Sequence, residues 1–108
     1  MNKKVSFHEL AEFELNDAAI FFEIKREGLG LRFLSAVEAA VTHIRAHPKA
    51  SPIIIKDIRR KVLRRFPYSI IYSIKPDRIR ILAVASAGHS IGAAAHDFLL
   101  TMESQSAH

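Results

Sequence analysis

The apolar period of this chain changes once, and that change leaves few folds open to it. From His8 to Ile44 apolar residues recur at spacings of three and four, whereas from Ile53 to Ala85 they alternate or cluster among β-branched and aromatic neighbours. Helices gathered in one half and strands in the other predict an α+β layer architecture, not an alternating βαβ one. With 108 residues there is material for one domain spanning 1–108, since two would each fall near the minimum for independent folding.

Segment 8–27 has no Gly or Pro and sets Leu10, Phe13, Ile20, Phe21 and Ile24 near one helical stripe, so it predicts a helix. Gly28 and Gly30 read as turn glycines that stop it. Phe33, Val37, Ala40, Val41 and Ile44 then predict a second helix that ends before Pro48. A short strand is expected over 4–7, and further strands over 53–55, 62–66, 68–74 and 78–85. Lys75-Pro76-Asp77 turns the last two into an antiparallel hairpin. Pro67 marks a strand start, and Tyr68, Ile70, Tyr72 and Ile74 share one alternating face. Ser90 ahead of Ile91, Ala95, Phe98 and Met102 predicts a short C-terminal helix, with 103–108 a frayed tail. The expected order is β-α-α-β-β-β: a small antiparallel-dominated sheet with the N-terminal helical hairpin on one face and the other face free.

Charge is spread unevenly along this frame. Residues 1–30 carry four Lys/Arg against six Asp/Glu, while residues 56–65 alone carry six against one, which matches the whole net charge of +5. Such a basic ribbon is the footprint of an anionic partner, whether nucleic acid or an acidic protein segment. On a single strand, Arg60 and Arg64 would share parity with Val62 and Phe66 while Arg59, Lys61 and Arg65 alternate with Leu63, a conflict that a bulge would resolve. With no cysteine there are no disulfides, thiolate chemistry or Cys-based metal sites. The N-terminus has two lysines with no apolar stretch behind them, and no segment approaches a membrane span, so a soluble cytoplasmic protein is expected.

Candidate chemistry is sparse. His43 and His47 stand four apart on the second helix, but without a Glu between them or a third ligand in sequence they read as last-turn residues favoured by the helix dipole; no metal or other cofactor is expected. Acids of the first helix, such as Asp17 and Glu23, read as a solvated face. Tyr68 and Tyr72 read as packing residues more readily than as base-stacking ones.

The element order, Gly28-Leu29-Gly30-Leu31-Arg32-Phe33 between the helices, the run from Ile58 to Tyr72 with its Phe66-Pro67-Tyr68-Ser69-Ile70-Ile71-Tyr72 stretch, and Ile79 to Ala85 resemble the RelE/ParE superfamily of toxins from type II toxin-antitoxin systems, closest to its ParE, plasmid-stabilisation branch. The resemblance implies growth inhibition through DNA gyrase and, as partner, an acidic antitoxin encoded adjacently, in a toxin-antitoxin hetero-oligomer. The RelE branch implies instead a ribosome-dependent mRNA endoribonuclease, for which Arg60, Arg64 and Arg80 are the candidate phosphate-stabilising cations and His89 the candidate proton-transfer group. That set lacks the tail Tyr or Lys that often completes it in that branch, so the residues favour binding over hydrolysis. Past Ala85 the chain departs from the family's basic and aromatic tail, which leaves a third reading, a non-toxic relative that only binds an antitoxin. On any of these readings the target- or antitoxin-binding residues are Arg59, Arg60, Lys61, Arg64, Arg65, Arg78 and Arg80.

Overall fold

The structure, a computed structural model, describes residues 3–86. The expected C-terminal helix, the 103–108 tail and His89 lie outside them. Within them the chain runs β1 (Lys4–Phe7), α1 (Glu9–Lys25), α2 (Leu29–Ala46), β2 (Ile53–Ile55), β3 (Ile58–Val62), β4 (Tyr68–Ile74) and β5 (Arg78–Ser86). One five-stranded sheet has the order β1-β5-β4-β3-β2, with β1 parallel to β5 and every other pairing antiparallel. The α+β class and the antiparallel-dominated sheet are as expected, with one strand more than the β-α-α-β-β-β order allows.

α1 starts where His8 Nδ1 accepts the Leu10 N–H at 3.1 Å, and Glu9 and Glu12 place negative charge in its first turn. α2 has no side-chain cap of its own, because Gly28 takes the N-cap position at φ +85°. Its free amides are accepted from α1: the Glu23 carboxylate takes the Gly28 N–H and the Gly30 N–H, each at 3.0 Å. Gly28 is thus a turn glycine as expected, but Gly30 lies inside α2 and serves close helix approach. A Cβ there would stand 2.6 Å from the Ala19 carbonyl oxygen. Gly30→Ala is therefore expected to push the hairpin apart and cost about 2–3 kcal/mol despite alanine's better helix propensity, read as a lowered urea midpoint with an unchanged slope.

The core between hairpin and sheet joins Phe33, Val37, Ala40 and Ile44 of α2, as the sequence predicts, to Ile70, Tyr72, Ile79, Ile81 and Val84 of β4 and β5. α1 departs from expectation. Its predicted stripe faces outward, with Phe13 66% and Ile24 81% exposed, while the helix buries Ala11 and Ala18 with Leu15 and Phe22 beside them. α1 carries two apolar stripes, and the alanine-rich one lets its backbone approach the sheet closely.

The strand expected over 62–66 is displaced. β3 ends at Val62, paired with Ser69, and 63–67 turns back, with Leu63 N–H donating to Tyr68 O at 3.0 Å and Tyr68 N–H to Phe66 O at 2.7 Å. Pro67, which has no N–H to give a ladder, sits in this turn. The parity conflict among the arginines therefore disappears without a bulge in the β3–β4 pairing. Bulges occur instead in β2–β3 and in β4–β5, where the register skips Leu82 between Ala83 and Ile81. The opposite sheet face is not left free either: Ile58, Ile71, Leu82, Ala83 and Ala85 form a second buried apolar cluster there, with Ile54 and Ile55 packed on it.

Candidate functional site

Pairing with β4 sorts the basic ribbon between two sheet faces. Arg59 and Lys61 lie opposite Tyr72 and Ile70 on the helix side, whereas Arg60 lies opposite Ile71 on the other side. Arg64 and Arg65 stand in the β3–β4 turn, both exposed. Arg59 is engaged locally, its Nη1 donating to Ser51 O at 2.7 Å and Lys49 O at 3.2 Å, so it ties down the loop between α2 and β2.

Arg60, Ser73 and Arg80 define the site on the far face. Ser73 lies directly across from Arg80 on β5 and from Ile58 on β3, and Arg60 is its diagonal neighbour on β3. Arg80 Nη1 donates to Ser6 Oγ at 3.2 Å and to Phe7 O at 3.4 Å, which fixes the guanidinium beside the β1 edge. Arg60 Nε and Ser73 Oγ are both buried and have no hydrogen-bond partner among the described residues. Two unsatisfied polar atoms so close together on a face carrying two arginines are unusual, because each costs about 1–3 kcal/mol while unpaired. The guanidinium forks of Arg60 and Arg80 on this face suit a carboxylate or a phosphate. Arg78 shares this face two residues before Arg80, exposed at the sheet end opposite Lys4. The apolar neighbours Ile58, Ile71, Leu82 and Ala83 give the cations low-dielectric surroundings.

Of the four residues considered for catalysis, the fold brings Arg60 and Arg80 to one face and sets Arg64 apart in a turn. Sequence reasoning missed Ser73, for a serine in an alternating strand carries no signal until register puts it between two arginines. It also missed what two acids of α1 do: Glu23 is exposed, as a solvated face requires, yet has a partner in α2, and Glu14 is partly buried. Glu23 caps α2, and Glu14 Oε1 accepts the Val84 N–H at 3.0 Å, beyond the point where β1 ends opposite Ile81.

The tyrosines are packing residues. Tyr72 is fully buried and donates its hydroxyl to Pro48 O at 2.7 Å. Tyr68 packs edge-on against Phe22 and Phe33, and burial, helped by Asp17 and Glu14, pushes its phenol above the usual value. The His43 and His47 rings stand 5.1 Å apart, and among the described residues no group of three or more His, Cys, Asp or Glu could hold a metal. No helix among them is long and apolar enough to cross a membrane.

Comparison with known proteins bears on the family and the fold. The sequence matches the family described as ParE toxin of type II toxin-antitoxin system, parDE, over residues 5–90. No curated protein sequence matches the chain significantly. Among solved structures, the fold is similar to a chain of the chromosomal ParDE toxin-antitoxin system from P. aeruginosa, with a TM-score of 0.60 at 18% identity over 78% of this chain and 95% of that one. It is also similar to a chain of the RelBE2 toxin-antitoxin complex from Mycobacterium tuberculosis, with a TM-score of 0.57 at 17% identity over 80% and 99%.

Proposed function

We propose, from the premise that this chain belongs to the ParE toxin family of type II toxin-antitoxin systems, that it is a cytoplasmic toxin that arrests growth by binding an essential target, and that an acidic antitoxin encoded beside it neutralises it. DNA gyrase is the target that the ParE branch implies. The observation that carries the reading is the far face of the sheet, where Arg60 and Arg80 stand among apolar side chains and Arg60 Nε and Ser73 Oγ have no partner among the described residues. Desolvated arginines in an apolar frame are the usual anchors of a protein-protein interface. Both similar structures come from toxin-antitoxin complexes, which supports the antitoxin partner.

A second reading is mRNA cleavage at the ribosome. It is favoured by one observation, that Arg60 and Arg80 share a face on which a phosphate would find both cations. Hydrolysis also needs a proton donor and acceptor, and the described residues of this face bring together two guanidiniums and a serine hydroxyl with no histidine or carboxylate assigned to that role.

Induced expression in bacteria tests these readings together. Growth arrest with filamentation and induction of the DNA-damage response is the expected outcome. Arrest with cleaved mRNA and normal cell length would replace gyrase binding by ribonuclease action, and unimpaired growth would leave a relative that binds only an antitoxin.

A further inference from the structure

The end of the sheet opposite the β3–β4 turn gathers cations from separate parts of the chain. Arg45 in the last turn of α2 donates its Nε to Lys3 O at 3.2 Å, and Lys3 Nζ donates to Lys75 O in the β4–β5 turn at 2.6 Å. Lys4 on β1 stands directly opposite Arg78 at the start of β5, and both are exposed. Carbonyl partners hold Lys3 and Arg45 in place and leave their charge uncompensated. Like charges facing each other across two strands are a cost to the free chain. Among the described residues two carboxylates share this end, Asp57 at 3.7 Å from Lys75 Nζ and Asp77 in the turn. The acids of α1 lie elsewhere: that helix begins beyond Ile81, whose carbonyl accepts the His8 N–H at 2.8 Å, and runs on past Val84, where Glu14 is bonded.

We propose that this end is a docking surface for double-stranded DNA, which Lys3, Lys4, Arg45, Lys75 and Arg78 hold by its phosphate backbone. β1, β5 and β4 lie side by side, so Lys4, Arg78 and Lys75 form a row with about 5 Å from one strand to the next. Each DNA strand carries one phosphate per ~3.4 Å of helix axis, so a row of this pitch meets several charges where a lone carboxylate offers one. A protein partner needs apolar anchors. Among the described residues, the large apolar side chains that stand exposed are on α1, at the start of α2, on β2 and at the end of β3. A single strand needs aromatic platforms for its bases, and the exposed aromatics, Phe13 and Phe21, are on α1. Recognition of an RNA duplex draws on ribose hydroxyls, whereas Lys3-Lys4, Arg45-Ala46 and Lys75-Pro76-Asp77-Arg78 bring no hydroxyl or amide side chain. Contacts to phosphate alone carry no sequence preference. Arg80, two residues along β5, is held on Ser6 and Phe7 and is no part of this surface. The assignment goes beyond the toxin reading and involves neither the antitoxin nor the protein target, so it stands or falls independently of them.

Fluorescence anisotropy of a labelled DNA duplex of about 20 base pairs, titrated with the purified full chain between about 0.05 and 0.2 M salt, tests the assignment. For the parent, the logarithm of the affinity is expected to fall linearly with the logarithm of salt concentration, with a slope of about −4 to −5, as for about five neutralised phosphates. Lys4→Gln with Arg78→Gln should reduce that slope by about 2 and weaken binding about 10-fold or more at the lower salt, and Lys75→Gln alone should reduce it by about 1. Lys25→Gln with Arg26→Gln removes the same charge from exposed positions at the end of α1 and should change the affinity by less than about 3-fold. Thermal melts check that every variant folds, which relief of the facing pair Lys4 and Arg78 favours. Equal losses from the two double variants would reduce the attraction to net charge and overturn the assignment. A parent that leaves the duplex unbound at about 0.05 M salt also overturns it. Tighter binding of single-stranded DNA, or of an RNA duplex of the same length, overturns it in favour of that ligand.

Discussion

Replacing Phe33 with alanine is expected to lower the unfolding free energy by about 3–5 kcal/mol, a large part of the 5–15 kcal/mol typical of a domain this size. Phe33 is fully buried and its ring stands 5.1 Å from Phe22, 5.3 Å from Phe66 and 5.1 Å from Tyr68. These rings come from α1, α2, the β3–β4 turn and β4, so one side chain holds four parts of the fold at a common centre. Its removal loses the buried area, the edge-to-face contacts and the close packing of the cavity walls together. Phe33→Leu, which keeps most of the volume, should cost less than half as much. Chemical denaturation followed by circular dichroism measures both; equal losses for the two variants would show that the aromatic geometry, and not the volume, is what the site requires.

The second large effect has opposite signs for stability and function. Arg60→Met removes a guanidinium whose buried Nε has no partner among the described residues, and keeps an unbranched apolar stem of similar length. Stability is therefore expected to stay level or rise by up to about 1 kcal/mol, because an unpaired buried polar group is itself a cost. Growth inhibition should fall sharply. An arginine at the centre of an interface contributes roughly 2 kcal/mol or more, which corresponds to a loss of target affinity of about 30-fold or greater. Thermal melts and colony counts after induction, run on the same variant, measure the two quantities side by side. A variant that melts higher and still arrests growth would place the target-binding surface elsewhere than the far face. The result also separates the two activities: a binding protein should lose toxicity in step with affinity, whereas a nuclease should lose cleavage while still holding its substrate.

Much of the fold was legible because it rests on local regularities. The change of period near residue 53 placed helices before strands, the stripe of Phe33, Val37, Ala40 and Ile44 marked the buried face of α2, and Tyr68, Ile70, Tyr72 and Ile74 marked one face of β4, as the structure has them. The basic ribbon identified the segment that carries the candidate site, and with the resemblance it indicated the family. In each case side-chain type and spacing along one element were sufficient, since period and composition are properties of the chain alone.

What needed the tertiary structure was every decision made between elements. α1 offers two apolar stripes, and hydrophobicity ranks the larger one, Phe13, Ile20 and Ile24, above the alanine-rich one that is buried; only the space available against the sheet selects between them. Gly30 looked like a second turn glycine until α1 was found crossing it with the Ala19 carbonyl 2.6 Å from where a Cβ would stand. The strand expected over 62–66 lies at Ile58–Val62, because hairpin register is set by pairing with β4 and by the turn at Pro67, not by the residues of β3 themselves. That shift parts Arg60 from Arg64, puts Arg60 and Arg80 on one face around Ser73, and leaves Lys61 on the helix side with Arg64 and Arg65 in the turn beyond it. Charge composition specified by the sequence told that an anionic partner is wanted; strand register, which follows from long-range pairing, decided that the cations form two surfaces in place of one.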